Sequence, residues 1–364
     1  QGNFSKAQDN LELVLSEAPT EAQAWVTLSK LPLENSKLHE IESRITALLD
    51  SQTLTENSTA HIQFALGNLA HKQKNYEKAF QAFSEGNAIR AKHTPFNFKN
   101  EKLFFDKIQS LFRVLDQEQI VPLGPNTTPI FVVGLPRSGT TLLEQILSTH
   151  SNVVTLGEVE ILKSELYQWM RSIQFDQAPI AGALRAIVND YLELMSRRAS
   201  GSGFFVDKLP LNFLWIGFIA KLVPNAKFIH TFKSPLPACW SLYKQEFKGY
   251  TCSYGFKSLA QYYTLYSNHM SFWRSRVNAN QLIEVRYEDF VEDPASYIRN
   301  ILMFCNLSEE SQVVNFEGSQ QTVRTLSATQ VRTGVSAEFK SEFDLYKPFL
   351  HPLIESLVRE GIEL

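Results

Sequence analysis

Apolar residues in the first third of the chain recur with the period of an α-helix. On one face of the segment 36–49 lie Leu38, Ile41, Ile45 and Leu48. The same period runs through 21–31 and 96–119. This part of the chain is therefore predicted to be all-α, with 96–119 as a long connecting helix.

Small and large residues between 59 and 88 follow the spacing of tetratricopeptide repeats, in which small side chains such as Gly67 and Ala79 let two helices touch. Asn75 supplies the turn between the two helices. Residues 2–15 read as the second helix of a preceding repeat, so the chain is expected to be a piece of a longer one. The repeats predict either a packing cap or a groove for a protein partner or a second protomer.

After residue 128 the pattern changes to short runs of branched residues separated by helical stretches, which predicts a parallel sheet with helices on both faces. The predicted strands are 130–133, 153–155, 204–207, 226–231 and 281–287. The stretch 121–129 is dense in Pro, Gly and Thr, so the domains are predicted as 1–120 and 128–364. The fold class is a three-layer, P-loop-like α/β domain preceded by an all-α tetratricopeptide-type repeat domain.

The composition narrows the class of function without naming one. The chain has 364 residues, of which 44% are hydrophobic and 20% are charged, and its formal net charge of -3 gives no reason to expect nucleic acid as a partner. No apolar stretch reaches the roughly 20 residues that span a bilayer. Three cysteines without zinc-ligand spacing favour a reducing, cytoplasmic location.

Residues 134–141, Gly-Leu-Pro-Arg-Ser-Gly-Thr-Thr, join the first predicted strand to a helix predicted over 142–149. A strand, a tight loop and a helix N-terminus bind phosphate through backbone N–H groups and the helix dipole. The spacing imitates a Walker A loop, but Thr140 stands at the lysine position and a cation, Arg137, comes earlier. The loop is therefore predicted to hold an anion other than ATP. A P-loop kinase stays open as an alternative, although no strand ends in a metal-binding Asp.

Cations and hydroxyl groups also follow the other predicted strands. Lys208 follows the third strand, Lys233 follows the fourth with Ser241 eight residues later, and 286–289 follow the fifth. Because ligands of parallel sheets bind beyond the carboxyl ends of the strands, this pattern suits a ligand with two separate anionic groups.

Four motifs in order resemble the sulfotransferase family, in particular its tetratricopeptide-containing branch close to the protein-tyrosine sulfotransferases. They are the loop at 134–141, Leu-Gly-Glu at 156–158, Val-Asp-Lys-Leu-Pro-Leu-Asn-Phe at 206–213 and Val-Arg-Tyr-Glu-Asp-Phe at 285–290. The resemblance implies transfer of a sulfuryl group from 3'-phosphoadenosine-5'-phosphosulfate (PAPS) to an acceptor hydroxyl, with adenosine-3',5'-bisphosphate (PAP) as product and no metal. A peptide or protein tyrosine fits the relatives. Small phenols, lipids and sugars stay open as acceptors, and the aromatic segment 247–266 is expected either to line an acceptor groove or to pack helices.

The resemblance also implies which residues hold the donor. The loop residues that would grip the 5'-phosphosulfate are Arg137, Ser138, Gly139, Thr140 and Thr141. Lys233 and Ser241 would bind the 3'-phosphate, although family members carry arginine at the first position, and a lysine lacks the planar fork. Tyr287 would contact the adenine, with a core role as the alternative, and Arg332 would contact a phosphate from a C-terminal segment that departs from the family pattern at 333–343.

The catalytic groups implied by the resemblance are a carboxylate and two cations. Glu158 would be the general base, with Glu160 as the alternative, and Lys208 with Arg137 would stabilise the transferring group. A hypothesis from another class is a repeat-based protein-binding scaffold with an inactive sulfotransferase domain. Lysine at 233 and serine at 234, where the family has arginine and aspartate, are its support.

Overall fold

The computed structural model describes residues 4–173, 179–199, 201–316 and 343–364, and these residues divide into two compact units. The first unit contains 4–98, 235–264 and 343–364, and the second contains the rest. The units follow spatial contacts rather than the order of the chain. The predicted domain limits, 1–120 and 128–364, stay a prediction.

The described part of the chain is mostly helical. Its α-helices are α1 Phe4–Glu17, α2 Ala22–Lys30, α3 Asn35–Asp50, α4 Glu56–Lys72, α5 Tyr76–His93, α6 Phe98–Gln117, α7 Thr140–Ser148, α8 Glu160–Ser172, α9 Ala181–Arg198, α10 Ile216–Leu222, α11 Pro235–Tyr243, α12 Phe256–Arg274, α13 Tyr287–Glu292, α14 Pro294–Phe304, α15 Ser311–Val314 and α16 His351–Arg359. Short 3₁₀ helices cover Pro210–Trp215, Thr251–Tyr254 and Lys347–Phe349. Within the described ranges, none of these helices combines the length and apolar character needed to cross a membrane.

In the first unit, small residues allow α4 and α5 to approach closely. A Cβ atom on Gly67 would lie 2.5 Å from the Phe83 ring, and one on Gly86 would lie 3.1 Å from the backbone oxygen of Ala60. Asn75 caps α5, since its side chain accepts a hydrogen bond from the Lys78 N–H group at 3.1 Å. The predicted packing role of the small residues is therefore seen at this helix pair.

Later segments of the chain complete the core of the same unit. Tyr346 stacks on His71, with ring centroids 5.8 Å apart, and its hydroxyl is 2.8 Å from the His71 Nδ1 atom. The buried amide of Asn87 donates to the backbone oxygen of Tyr243 at 2.8 Å. In the part of the aromatic segment that belongs to this unit, Tyr254, Tyr262 and Tyr263 are buried.

The second unit is built on a five-stranded parallel sheet, as the alternating pattern predicts. The strands are β1 Thr128–Gly134, β2 Val153–Thr155, β3 Phe204–Asp207, β4 Lys227–Phe232 and β5 Leu282–Arg286. Their order across the sheet is β2-β3-β1-β4-β5. The central strand β1 pairs Phe131 with Asp207 of β3 and with Phe228 of β4. All five observed strands overlap the predicted ones within one or two residues at each end.

Alternate residues of β1 enter two different cores, which explains why the strand is a continuous apolar run. Ile130 and Val132 are fully buried in a cluster with residues of α7 and α14. Phe131 points to the other face, where its ring lies 6.2 Å from Tyr191 and 5.2 Å from Phe228. Helices on both faces thus fix the sheet, and the carboxyl end of β1 lies at its centre.

Candidate active site

The predicted site residues follow the carboxyl ends of adjacent parallel strands. The loop at 134–141 follows β1, the central strand, Lys208 follows β3 on one side of it, and Lys233 follows β4 on the other. Glu158 comes after β2, and Tyr287 comes directly after β5. The strand order therefore brings five separate segments of the chain to one edge of the sheet.

The loop has a backbone that few residues can adopt. Gly134 has φ +146°, and a Cβ atom there would lie 2.1 Å from the backbone oxygen of Thr231. Arg137 has φ +71°, a left-handed conformation that is uncommon for a residue other than glycine. Gly139, with φ +99°, caps the N-terminus of α7. Such local strain is typical of functional loops, where the surrounding structure holds it in place.

Three hydroxyl groups of the loop are buried at the start of α7. The Ser138 Oγ atom is 3.0 Å from Thr231 Oγ1, and Thr231 also donates to the Val133 backbone oxygen at 3.4 Å. Thr140 and Thr141 form the first turn of the helix and are almost fully buried. Hydroxyl groups and backbone N–H groups at a helix N-terminus are suited to bind an anion.

Tyr287 connects the loop to the end of β4. A Cβ atom on Gly139 would lie 2.5 Å from the Tyr287 ring, so only glycine permits the ring to pack against the loop backbone. The Lys233 ammonium lies 4.3 Å from the centroid of the same ring, and Lys233 is 4% exposed. A cation over an aromatic face is a stabilising contact. The candidate adenine residue and the candidate 3'-phosphate cation are thus held together.

Ser234 stands where the family pattern has an aspartate, and its own hydrogen bonds are satisfied. The Ser234 N–H group donates to Glu288 Oε1 at 3.0 Å, and the guanidinium group of Arg286 donates to Ser234 Oγ at 2.8 Å. Although serine stands in place of an acid, hydrogen bonds at this position connect the ends of β4 and β5.

Lys208 is held between two carboxylates. Its ammonium lies 2.5 Å from Glu158 Oε1 and 3.7 Å from Glu144 Oε2, while its backbone N–H group donates to the Gly157 oxygen at 3.0 Å. Burial raises the pKa of Glu144, although the Lys208 ammonium opposes that effect. The contact with Glu144 places Lys208 beside α7, the helix that begins at the anion loop.

Asp207 faces away from Lys208, as expected for adjacent residues of a strand. It is buried, it accepts a hydrogen bond from the Tyr191 hydroxyl at 2.6 Å, and Asn212 lies 3.4 Å away. Burial raises the pKa of Asp207 to about 7, and the hydrogen bonds limit the rise. Asp207 is therefore a support for the segment that carries Lys208.

Other buried residues with reactive side chains lie in packing surroundings. His230 is buried, contacts Glu284 Oε1 at 2.8 Å through Nδ1, and burial lowers its pKa. Cys239 is buried and free, and burial raises the pKa of its thiol.

Ser241 is buried on α11 in the first unit, and its pairing with Lys233 stays a prediction. Arg332 and the segment 333–342 lie outside the described residues. In the ranges that the structure describes, no group of His, Cys, Asp or Glu side chains is arranged to hold a metal ion.

Sequence reasoning missed Glu144 and Thr231 as members of the site, and it placed Arg286 at the end of the fifth strand without a role. Helical spacing places Glu144 one turn after Thr140 on the helix that follows the loop, but spacing alone does not show that its side chain meets Lys208. Thr231 pairs with Gly134 across the sheet, and only the register shows this.

Comparison with known proteins places the sheet unit in a family. The model of the sulfotransferase family matches residues 129–311, half of the chain. An uncharacterized protein of Aquifex aeolicus is 28% identical over all of this chain, and the match covers 49% of that protein. Protein-tyrosine sulfotransferase 1 of Danio rerio is 24% identical over 52% of this chain, and the match covers 56% of its own length. The chain thus spans about half the length of these two relatives. A sulfotransferase domain from the Synechococcus PCC 7002 olefin synthase covers 65% of this chain and 99% of its own, with 18% identity and a TM-score of 0.45, a likeness too low to carry an argument. On the family match, the chain belongs to the sulfotransferase family.

Proposed function

We propose that the protein transfers a sulfuryl group from PAPS to an acceptor hydroxyl, with Glu158 as general base. The observation that carries this proposal is the position of Lys208, whose ammonium lies 2.5 Å from Glu158 and beside the helix that begins at the anion loop. A base and a cation next to an anion site are the groups that sulfuryl transfer needs.

The residues present fit the donor. The guanidinium group of Arg137 and the N-terminus of α7 suit the 5'-phosphosulfate, and the half-buried Tyr287 ring beside Gly139 suits a nucleobase. Lys233, next to that ring, supplies a cation for the 3'-phosphate. Ser241 and Arg332 complete the proposed donor site from the family resemblance alone.

When bound, the donor supplies an activated sulfuryl group and a phosphate leaving group. Glu158 accepts the proton of the acceptor hydroxyl while the acceptor oxygen forms its bond to sulfur and the bond between sulfur and the bridging oxygen breaks. Lys208 and Arg137 offset the negative charge that develops on that bridging oxygen. No further reactant is needed for the proton and the charge to balance.

We further propose a peptide or protein tyrosine as the acceptor and the first unit as a tetratricopeptide-type platform. The support is the match to a protein-tyrosine sulfotransferase, together with the close approach of α4 and α5 at Gly67 and Gly86. The platform would present the acceptor or a second copy of the chain. A reducing, cytoplasmic location is part of the same hypothesis and is supported by three buried cysteines that form no disulfide bond.

The proposal is tested by separating donor binding from turnover. Calorimetry with PAP should show one site in the wild-type protein, and labelled PAPS should transfer its sulfate to a tyrosine peptide or to the small phenol 2-naphthol. Absence of PAP binding would favour the inactive scaffold. Binding of MgATP with hydrolysis would instead favour the kinase alternative.

Two substitutions test the catalytic roles. Lys208→Ala should lower the single-turnover rate about 100-fold or more while changing PAP affinity much less, because its charge acts mainly in the transition state. Lys102→Ala is a matched control, since Lys102 is exposed on α6, where its ammonium pairs with Asp106 of the same helix. Glu158→Gln should abolish most transfer with normal folding, and a variant that keeps the full single-turnover rate would show that Glu158 is not the base.

A further inference from the structure

Lys208 has two carboxylate partners that lie in very different environments. The nearer one, Glu158, is 45% exposed, whereas Glu144 has only 13% of its side chain exposed and comes from α7. The Lys208 side chain itself is 1% exposed. The ammonium therefore lies between a carboxylate that solvent can reach and one that it hardly reaches.

This arrangement raises a difficulty for Glu158 as a base. The Lys208 ammonium lies 2.5 Å from Glu158 Oε1, so it occupies that oxygen and keeps an acceptor hydroxyl from donating its proton to it. Lys208 must therefore leave Glu158 before Glu158 can take the proton of the acceptor. A buried ammonium that loses its only counter-ion would be strongly destabilised. A second carboxylate within reach removes that cost.

We propose that Glu144 is a positioning residue that receives Lys208 from Glu158 when the substrates bind, which frees Glu158 to act as a base and directs Lys208 toward the donor loop. This inference rests on the proposed sulfotransferase function. It adds a residue that neither the family motifs nor the sequence reasoning assigned.

The backbone around Glu144 fits such a role. The Glu144 carboxylate accepts a hydrogen bond from the backbone N–H group of Gly157, and the Gly157 oxygen accepts one from the Lys208 N–H group at 3.0 Å. The Gly157 residue thus fixes the distance between the end of β3 and α7. The charged groups that interact electrostatically with Glu144 are Lys208, Glu158 and Asp207. Burial raises the pKa of Glu144, and the Lys208 ammonium lowers it.

The charge balance gives the inference a distinctive signature. Around Lys208, two carboxylates face one ammonium beside a loop that must hold a polyanion. Removing the Glu144 charge should therefore favour binding of PAP, while it deprives Lys208 of its second partner and slows transfer. A residue with only a structural role would weaken both binding and turnover when it is replaced.

Glu144→Gln tests this directly, measured at pH 8 with PAP calorimetry and with single-turnover transfer from labelled PAPS to the tyrosine peptide or 2-naphthol. We expect the single-turnover rate to fall on the order of tenfold, because Lys208 loses the second carboxylate that receives it, and PAP to bind at least about threefold more tightly, because one negative charge near the loop is removed. Glu144→Asp should restore part of the rate. Glu165→Gln, at an exposed position of α8, is the isosteric control and should change neither quantity.

The outcomes separate this inference from the function on which it rests. A Glu144→Gln protein with the wild-type rate, or one that loses PAP affinity together with rate, would overturn the role of Glu144. A wild-type protein that binds no PAP would instead overturn the proposed function, and this inference with it. Thermal unfolding of each variant shows whether a loss of rate comes from a loss of fold.

Discussion

Replacement of Gly139 by alanine tests whether the anion loop depends on the contact with Tyr287. Gly139 has φ +99°, and a Cβ atom would lie 2.5 Å from the Tyr287 ring. Two separate costs follow, namely the left-handed backbone of a residue with a side chain and the displacement of the ring. Gly249 has φ +75°, but among the described residues no atom lies within 4 Å of the place that a Cβ atom would take, so it carries only the first cost.

The magnitudes can be worked out from these two positions. Gly249→Ala should lower the free energy of unfolding by about 1 kcal/mol, the cost of alanine in the left-handed region. Gly139→Ala should lower it by about 1–3 kcal/mol more, the range for an overpacked contact. Because the displaced ring would no longer lie beside the loop, PAP affinity should also fall, on the order of tenfold, which is about 1.4 kcal/mol.

The assays are chemical denaturation of both variants and calorimetric titration with PAP. Gly249→Ala should keep wild-type PAP affinity, so it controls for a general loss of stability. Equal unfolding free energies for the two variants, combined with unchanged PAP affinity of Gly139→Ala, would refute the idea that the ring and the loop form one site.

Three further predictions concern the cores that support the site and the first unit. Burial raises the pKa of Asp207 to about 7, above its unfolded value, so the stability of the wild-type protein should fall as pH rises from about 4 to about 7. Relative to Asp207→Asn, the loss of unfolding free energy measured in urea titrations should reach up to about 4 kcal/mol. Burial lowers the pKa of His269 to about 3, so the stability of the wild-type protein should fall as pH drops from about 6.5 toward 3. The His269→Gln variant should be less stable at neutral pH, but its unfolding free energy should depend less on pH in acid denaturation. Gly67→Ala should lower the melting temperature because its Cβ atom would meet Phe83, whereas Gly182→Ala, in open space on α9, should raise it slightly.

The centre of the sheet could be predicted from the sequence because strands such as β1 and β4 are buried on both faces. A strand such as β1 is apolar at nearly every position, and the turn residues around it mark where it ends. The carboxyl ends then follow from the strand positions, and with them Arg137, Lys208, Lys233 and Tyr287 as candidates for the site. A parallel sheet was enough to predict that these residues lie at one edge of it. The sequence did not specify the order or the register of the strands.

Contacts between distant segments could not be predicted in this way. The Gly139 contact with Tyr287 joins residues about 150 positions apart, and the first unit takes in segments such as that of Tyr346. Glu144 was missed for a different reason. Its chemistry depends on the direction in which a helical side chain points, and a polar residue on a helix near a sheet reads equally well as a surface position.

The lysine at 233 and the serine at 234 are the changes that favour an inactive scaffold, and the surrounding structure argues against that interpretation. Lys208 and Lys233, at the ends of strands on either side of β1, are 1% and 4% exposed, and Arg137 keeps a left-handed backbone. Removing an ammonium from water can cost more free energy than its contacts inside the protein return, and a left-handed backbone at a residue other than glycine costs about 1 kcal/mol. An anionic ligand that binds beside these cations would offset that cost and stabilise the folded protein. A rise in melting temperature with PAP, and none with adenosine, would support an active donor site despite the lysine, whereas equal effects of the two would favour the scaffold.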